Sequence, residues 1–74
     1  MNEIIKEIEV EGMKCEGCAE NVRSALAAVP HVSKVFVSLD KHIAEVTCDG
    51  GNPPSDAQLK EAVTNLGFDV LGIS

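Results

Sequence analysis

Apolar and polar residues alternate from position 3 to position 11. Ile4, Ile8 and Val10 share one side with Lys6, and Ile5, Glu7, Glu9 and Glu11 take the other. A period of two predicts a strand over Glu3–Glu11 with one buried and one wet face. Lys6 falls on the apolar side near the open end, where its stem is expected to lie along the surface and free the ammonium. The glutamate row reads as a solvated face, with a docking surface as the alternative. From Cys18 to Val29 the period lengthens, and Val22, Ala25, Leu26 and Val29 form one helical stripe. Pro30 stops this helix, and Ala19, Ala25, Ala27 and Ala28 would let it lie close on a sheet. His31, just beyond, reads as a surface loop residue on the order of 15 Å from the helix start, at about 1.5 Å per residue.

Alternation returns over Val32–Leu39 and Ile43–Cys48, both rich in β-branched residues, with Asp40 and Lys41 at the turn. These runs predict a hairpin whose Val35, Val37, Leu39, Ala44, Val46 and Cys48 face the core. Asp49-Gly50-Gly51-Asn52-Pro53-Pro54 is a loop signal. Ser55–Leu66 then opens on Ser55-Asp56-Ala57-Gln58, a capping box, and carries Leu59, Ala62, Val63 and Leu66 as its buried stripe. Gly67 ends that helix in a left-handed cap, and Phe68–Ile73 is the last strand.

Strand, helix, strand, strand, helix, strand, with both helices amphipathic, fits an α+β ferredoxin-like sandwich. This is a βαββαβ open-faced arrangement, an antiparallel four-stranded sheet with two helices on one face. In that topology three connections meet at one edge: the segment after the first strand, the hairpin turn with Asp40, Lys41 and His42, and the end of the second helix with Gly67 and Phe68. Cys48 belongs at the opposite edge, as a buried small hydrophobe. His42 is the other side chain to watch beside the first loop, although a histidine on an exposed turn is ordinarily a surface residue.

Length and composition narrow the function. A chain of 74 residues is expected to form a single domain over 1–74 with a core just large enough to offset chain entropy. Trp and Tyr are absent and Phe36 and Phe68 are the only aromatics, so stacking platforms for single-stranded nucleic acid are missing. Six basic residues against twelve acidic ones give a net charge of −6, which argues against nucleic acid or anionic membrane and for a basic protein partner. The start Met1-Asn2-Glu3 lacks a basic signal-peptide region and no apolar run reaches membrane-spanning length, so a cytoplasmic location without membrane insertion is expected. In a reducing compartment three cysteines suit a metal site plus one spare better than a disulfide framework.

The chemistry lies in Gly12-Met13-Lys14-Cys15-Glu16-Gly17-Cys18, between the first strand and the first helix. Two thiols at this spacing can converge on one soft cation, the loop aiming Cys15 and the first helical turn fixing Cys18. Unpaired N–H groups at the helix start, its positive end and the nearby Lys14 favour thiolate over thiol. Two thiolates without a third ligand suit Cu(I), with Zn²⁺, Cd²⁺, Hg²⁺ or Ag⁺ as alternatives; Glu16 could add an oxygen for Zn²⁺ or Cd²⁺. An open, under-coordinated site can exchange its ion with a visiting thiolate, Cys15 acting as entry and exit ligand and Cys18 as holder. A thiol oxidoreductase using Cys15 as nucleophile is the competing reading. Against it stand a short chain, no aromatic before the pair and no proline between the thiols.

The order Gly-Met-x-Cys-x-x-Cys between strand and helix resembles the heavy-metal-associated domains: small copper chaperones, the periplasmic mercury-binding protein, and N-terminal modules of metal-pumping P-type ATPases. The resemblance implies that Cys15 and Cys18 are the metal-binding pair and that Gly12 and Met13 shape the loop, Met13 as a buried support rather than a ligand. Phe68 occupies a position that is often lysine in eukaryotic chaperones, tyrosine in bacterial ones and phenylalanine in ATPase modules. The implied function is non-enzymatic: a metallochaperone that hands Cu(I) to a copper-transporting P-type ATPase or a copper-responsive repressor. A metal-sensing ATPase module is the alternative. The metal-free form is expected to be monomeric, with a copper-bridged dimer open to two such exposed sites, and a start at Met favours an independent protein.

Overall fold

Ile8 and Val10 are fully buried while Glu7, Glu9 and Glu11 between and beside them are exposed, which is the alternation of a strand covered on one side. The computed structural model describes residues 2–74. Its elements are β1 (Glu3–Glu11), α1 (Glu16–Ala27), β2 (Val32–Ser38), β3 (Ile43–Asp49), α2 (Asp56–Thr64) and β4 (Asp69–Ile73). All strand pairs are antiparallel and the sheet runs β2-β3-β1-β4. The ferredoxin-like βαββαβ sandwich is therefore the fold.

Register explains the core. Ile8 lies opposite Ala44 and Ile4 opposite Cys48, so the inward residues of β1 and β3 form one apolar surface in the middle of the sheet. Val22 and Leu26 of α1 and Leu59 and Val63 of α2 close over it, in one cluster with Ile8, Val10, Met13, Ala44, Val46 and Cys48. Each large aliphatic side chain taken fully out of water contributes about 1.5–3 kcal/mol before conformational entropy is subtracted. The edge strands are covered less well. Val35, Val37 and Leu39, expected in the core, are half-buried, because β2 has a neighbour on one side only.

Several expectations change in detail. The first helix starts at Glu16 with Cys15 as its N-cap, two residues before Cys18, and ends at Ala27 rather than Val29. Val29 donates to the carbonyl of Leu26 in a tightened last turn, and Pro30 then has no N–H with which to continue. The second helix has its capping box as expected, with Ser55 accepting from the Gln58 N–H and the Gln58 side chain accepting from the Ser55 N–H. It stops at Thr64, however, and Leu66 is 42% exposed rather than part of the buried stripe. Leu66 and Gly67 donate to carbonyls three residues back, so the spacing that aims an α-helical side chain at the sheet no longer applies. Gly67, at φ +96°, makes the expected left-handed exit.

Ile4 is also exposed, at 37%, since it sits at the end of the inner face. Lys6 does not carry its ammonium into open water: Nζ lies 2.5 Å from the Asp56 carboxylate and 3.5 Å from the Pro54 carbonyl, tying β1 to the start of α2. Leu26→Ala should cost about 2–5 kcal/mol through the cavity it leaves, whereas Leu66→Ala should cost under about 1 kcal/mol. Urea unfolding of the two variants checks this; equal losses would mean that Leu66 is part of the core.

Candidate metal centre

Four residues, 12–15, carry the chain from β1 to α1, and each has a separate task. Gly12 turns the backbone at φ +107°, a conformation that L side chains rarely adopt. A Cβ there would also lie 3.1 Å from Cδ1 of Phe68, so the turn is closed over by that ring. Met13 enters the core and is 2% exposed. Lys14 and Cys15 then return to the surface.

Cys15 is extended, at φ −151° and ψ 167°, and its carbonyl accepts from Ala19 to start the helix. Cys18, third residue of α1, is half-buried against the core. The loop and the first turn bring the two Sγ atoms to 3.1 Å, and both cysteines are free. The Cys15 thiol, as hydrogen-bond donor, is the largest influence lowering the Cys18 pKa. The Lys14 N–H assists, partial burial opposes, and the N–H groups of Cys15 and Cys18 contribute less. The expected bias toward thiolate thus falls on Cys18, which is seated at the helix start.

The three connections meet as the topology requires. Phe68 packs on Gly12, and the Val10 N–H donates to the His42 carbonyl at 2.8 Å, fastening the hairpin turn to the end of β1. Lys41 and His42 share a shallow recess with Lys14 and Met13. The turn spans residues 39–42, with His42 in the left-handed region at φ 57°. Its exposed ring does not combine with the thiols: among the described residues no group of three or more His, Cys, Asp or Glu side chains gathers. Glu16 is likewise outside any such group. Among the described residues the candidate centre is therefore two sulfurs at an exposed edge. Cys48 is buried at the far end opposite Ile4, and burial raises its pKa. His31 is exposed there too, within 3.2 Å of Asn52.

The profile of the heavy-metal-associated domain matches residues 7–69. The chain belongs to the heavy-metal-associated domain family. It is 45% identical over 67 residues to the copper chaperone CopZ of Staphylococcus haemolyticus, covering 90% of this chain and 97% of that protein. It is 39% identical over 64 residues to mercuric reductase of Serratia marcescens, which covers 86% of this domain but 14% of the reductase. In three dimensions it matches a copper-binding domain of HMA7, a P-type ATPase, at a TM-score of 0.82 and 31% identity, over 96% of this chain and 99% of that one. The heavy-metal-associated fold thus occurs both in small carriers and as modules of larger proteins.

The Gly12–Phe68 contact was not legible in the sequence, because neither a positive φ nor a neighbour 56 positions away leaves a local signal. The pairing of the two thiols was. Since the Cys15 thiol leads the depression of the Cys18 pKa, Cys15→Ala should raise the pH at which Cys18 becomes reactive. Alkylation rates across pH read this directly, and an unmoved midpoint would show that the 3.1 Å contact does not stabilise the thiolate.

Proposed function

We propose that this heavy-metal-associated domain is a carrier in which Cys15 and Cys18 bind Cu(I) and pass it, by thiolate exchange, to a partner protein. The observation that carries the reading is the pair of free sulfurs 3.1 Å apart at an exposed edge, with no third His, Cys, Asp or Glu side chain gathered beside them among the described residues. A d¹⁰ ion that accepts two soft ligands fits such a donor set, whereas structural Zn²⁺ ordinarily takes four. Two in-line metal–sulfur bonds, each on the order of 2 Å like the Zn–S bond, would separate the sulfurs by well over the 3.1 Å between them here, so the pair must open on loading. Cys15, outside the helix and exposed, is the thiol free to move. Cys18, fixed in the first turn and biased toward thiolate, is the holder.

Low coordination leaves room for a partner's cysteine to bind before one of ours departs, so the ion need never be free. The likeness to the P-type ATPase domain supports a copper-transporting ATPase as recipient, with a copper-responsive repressor as the alternative, both reached in the cytoplasm. The likeness to CopZ supports the chaperone role and a non-catalytic protein. Hg²⁺ has specific support as a second cargo from the mercuric reductase match, since it too accepts two thiolates in line.

Titration with Cu(I) against bathocuproine under reducing conditions should give one ion per chain. Cys15→Ser or Cys18→Ser should weaken binding at least about a hundredfold, since each removes one of two ligands. Transfer to an acceptor domain should slow more with Cys15→Ser than with Cys18→Ser at matched loading. Stoichiometry and affinity untouched by either substitution would end the proposal.

A further inference from the structure

β2 is an edge strand. Its inner side pairs with β3, and among the described residues no strand pairs with its outer side. The irregularity in its ladder lies at Ser33, between Val32 and Lys34, so the half nearer the thiol edge, Val35–Ser38, is regular. That half lacks the devices that ordinarily protect an edge: it holds no proline, bulge or charged side chain. α1 does not cover it fully. Between the helix and the strand runs a groove of about 420 Å³, floored by Ala19, Val35 and Val37 and bordered by Glu16 and Asp40. Arg23 is the basic residue in the groove, and Glu20 on the same helix face pairs with it. On the other side of the strand Phe36 is 65% exposed.

From this geometry we infer that the outer edge of β2 receives an extended segment of a partner protein as a fifth strand, with basic and apolar residues alternating along it. An added strand would pair the free backbone groups of β2. Its residues on the helix side would lie over Val35 and Val37. Lysine or arginine suits those positions, because an aliphatic stem can cover the valines while the charged end reaches the carboxylates of Glu16 and Asp40. Its residues on the open side would stand beside Phe36, where β-branched or aromatic side chains make favourable cross-strand pairs. A second copy of this chain is the poorer occupant: two molecules of net charge −6 would bring the same acidic border together. The inference goes beyond metal carriage and does not require it.

The test uses the reduced, metal-free protein and a capped seven-residue peptide alternating valine and lysine. Amide shifts should concentrate on residues 35–39 and the Ala19–Arg23 face of α1. Affinity should fall about tenfold in the Glu16→Gln/Asp40→Asn double variant, and similarly on raising salt, since the steering charges are exposed. A peptide with glutamate in place of lysine should not bind. The Cys15→Ser/Cys18→Ser double variant should bind the lysine peptide unchanged, which keeps this result separate from copper binding. Shifts centred on Ile5, Glu7 and Glu45, equal binding of the glutamate peptide, no saturable binding at millimolar peptide, or self-association of the protein through β2 would each overturn the inference.

Discussion

Met13 is buried and Cys15, two positions later, is exposed; the site depends on that reversal. A loop carrying two thiols would gain by collapsing them onto the nearby core, because cysteine behaves as a small hydrophobe. Met13 occupies that space instead. With its thioether in the core and Gly12 turned through a left-handed conformation, the next residues are carried outward and Cys15 emerges at the helix cap. Val22 and Leu26, one and two turns further along α1, pin the helix to the sheet and so hold Cys18 against the core, its Sγ 3.1 Å from that of Cys15. Apolar burial on one side of the loop thus keeps the polar chemistry on the other.

The three cysteines show how far environment overrides residue type. Cys18 has its pKa lowered by a neighbouring thiol and by backbone N–H groups at the start of a helix. Cys48 has its pKa raised by burial in the same core, at the far end of the sheet. One is suited to hold a soft cation as thiolate; the other is suited to packing. The difference follows from βαββαβ connectivity, which returns the chain to the thiol edge after β1, between β2 and β3, and after α2.

The open face of the sheet follows a different logic. Glu3 stands opposite Asp49, Glu7 opposite Glu45, and Glu11 opposite Asp69, so β1 meets like charge in register three times. Such pairs oppose strand association, and they persist because water and salt screen them on an uncovered face. Stability must come from the other side, where aliphatic side chains of β1, β3 and both helices interlock. The division leaves the edges and ends of the sheet, rather than its faces, as the places where the backbone and the thiols are accessible.

Local pattern alone determined the six elements, their order, the ferredoxin-like class, the capping box at Ser55 and the two-thiol motif. These rest on periodicity and on short-range hydrogen bonding, which act within a few residues. It also separated Cys48 from the Cys15–Cys18 pair, because connectivity places strand ends without reference to side-chain detail. Only the tertiary structure decided that Leu66 and Ile4 face water, that β2 is covered on one side, that Lys6 reaches Asp56, and that Phe68 closes over Gly12. Each of these depends on partners far away in the sequence, or on where a helix stops relative to the sheet it covers. A spacing rule predicts which way a residue points but not whether anything lies there to meet it.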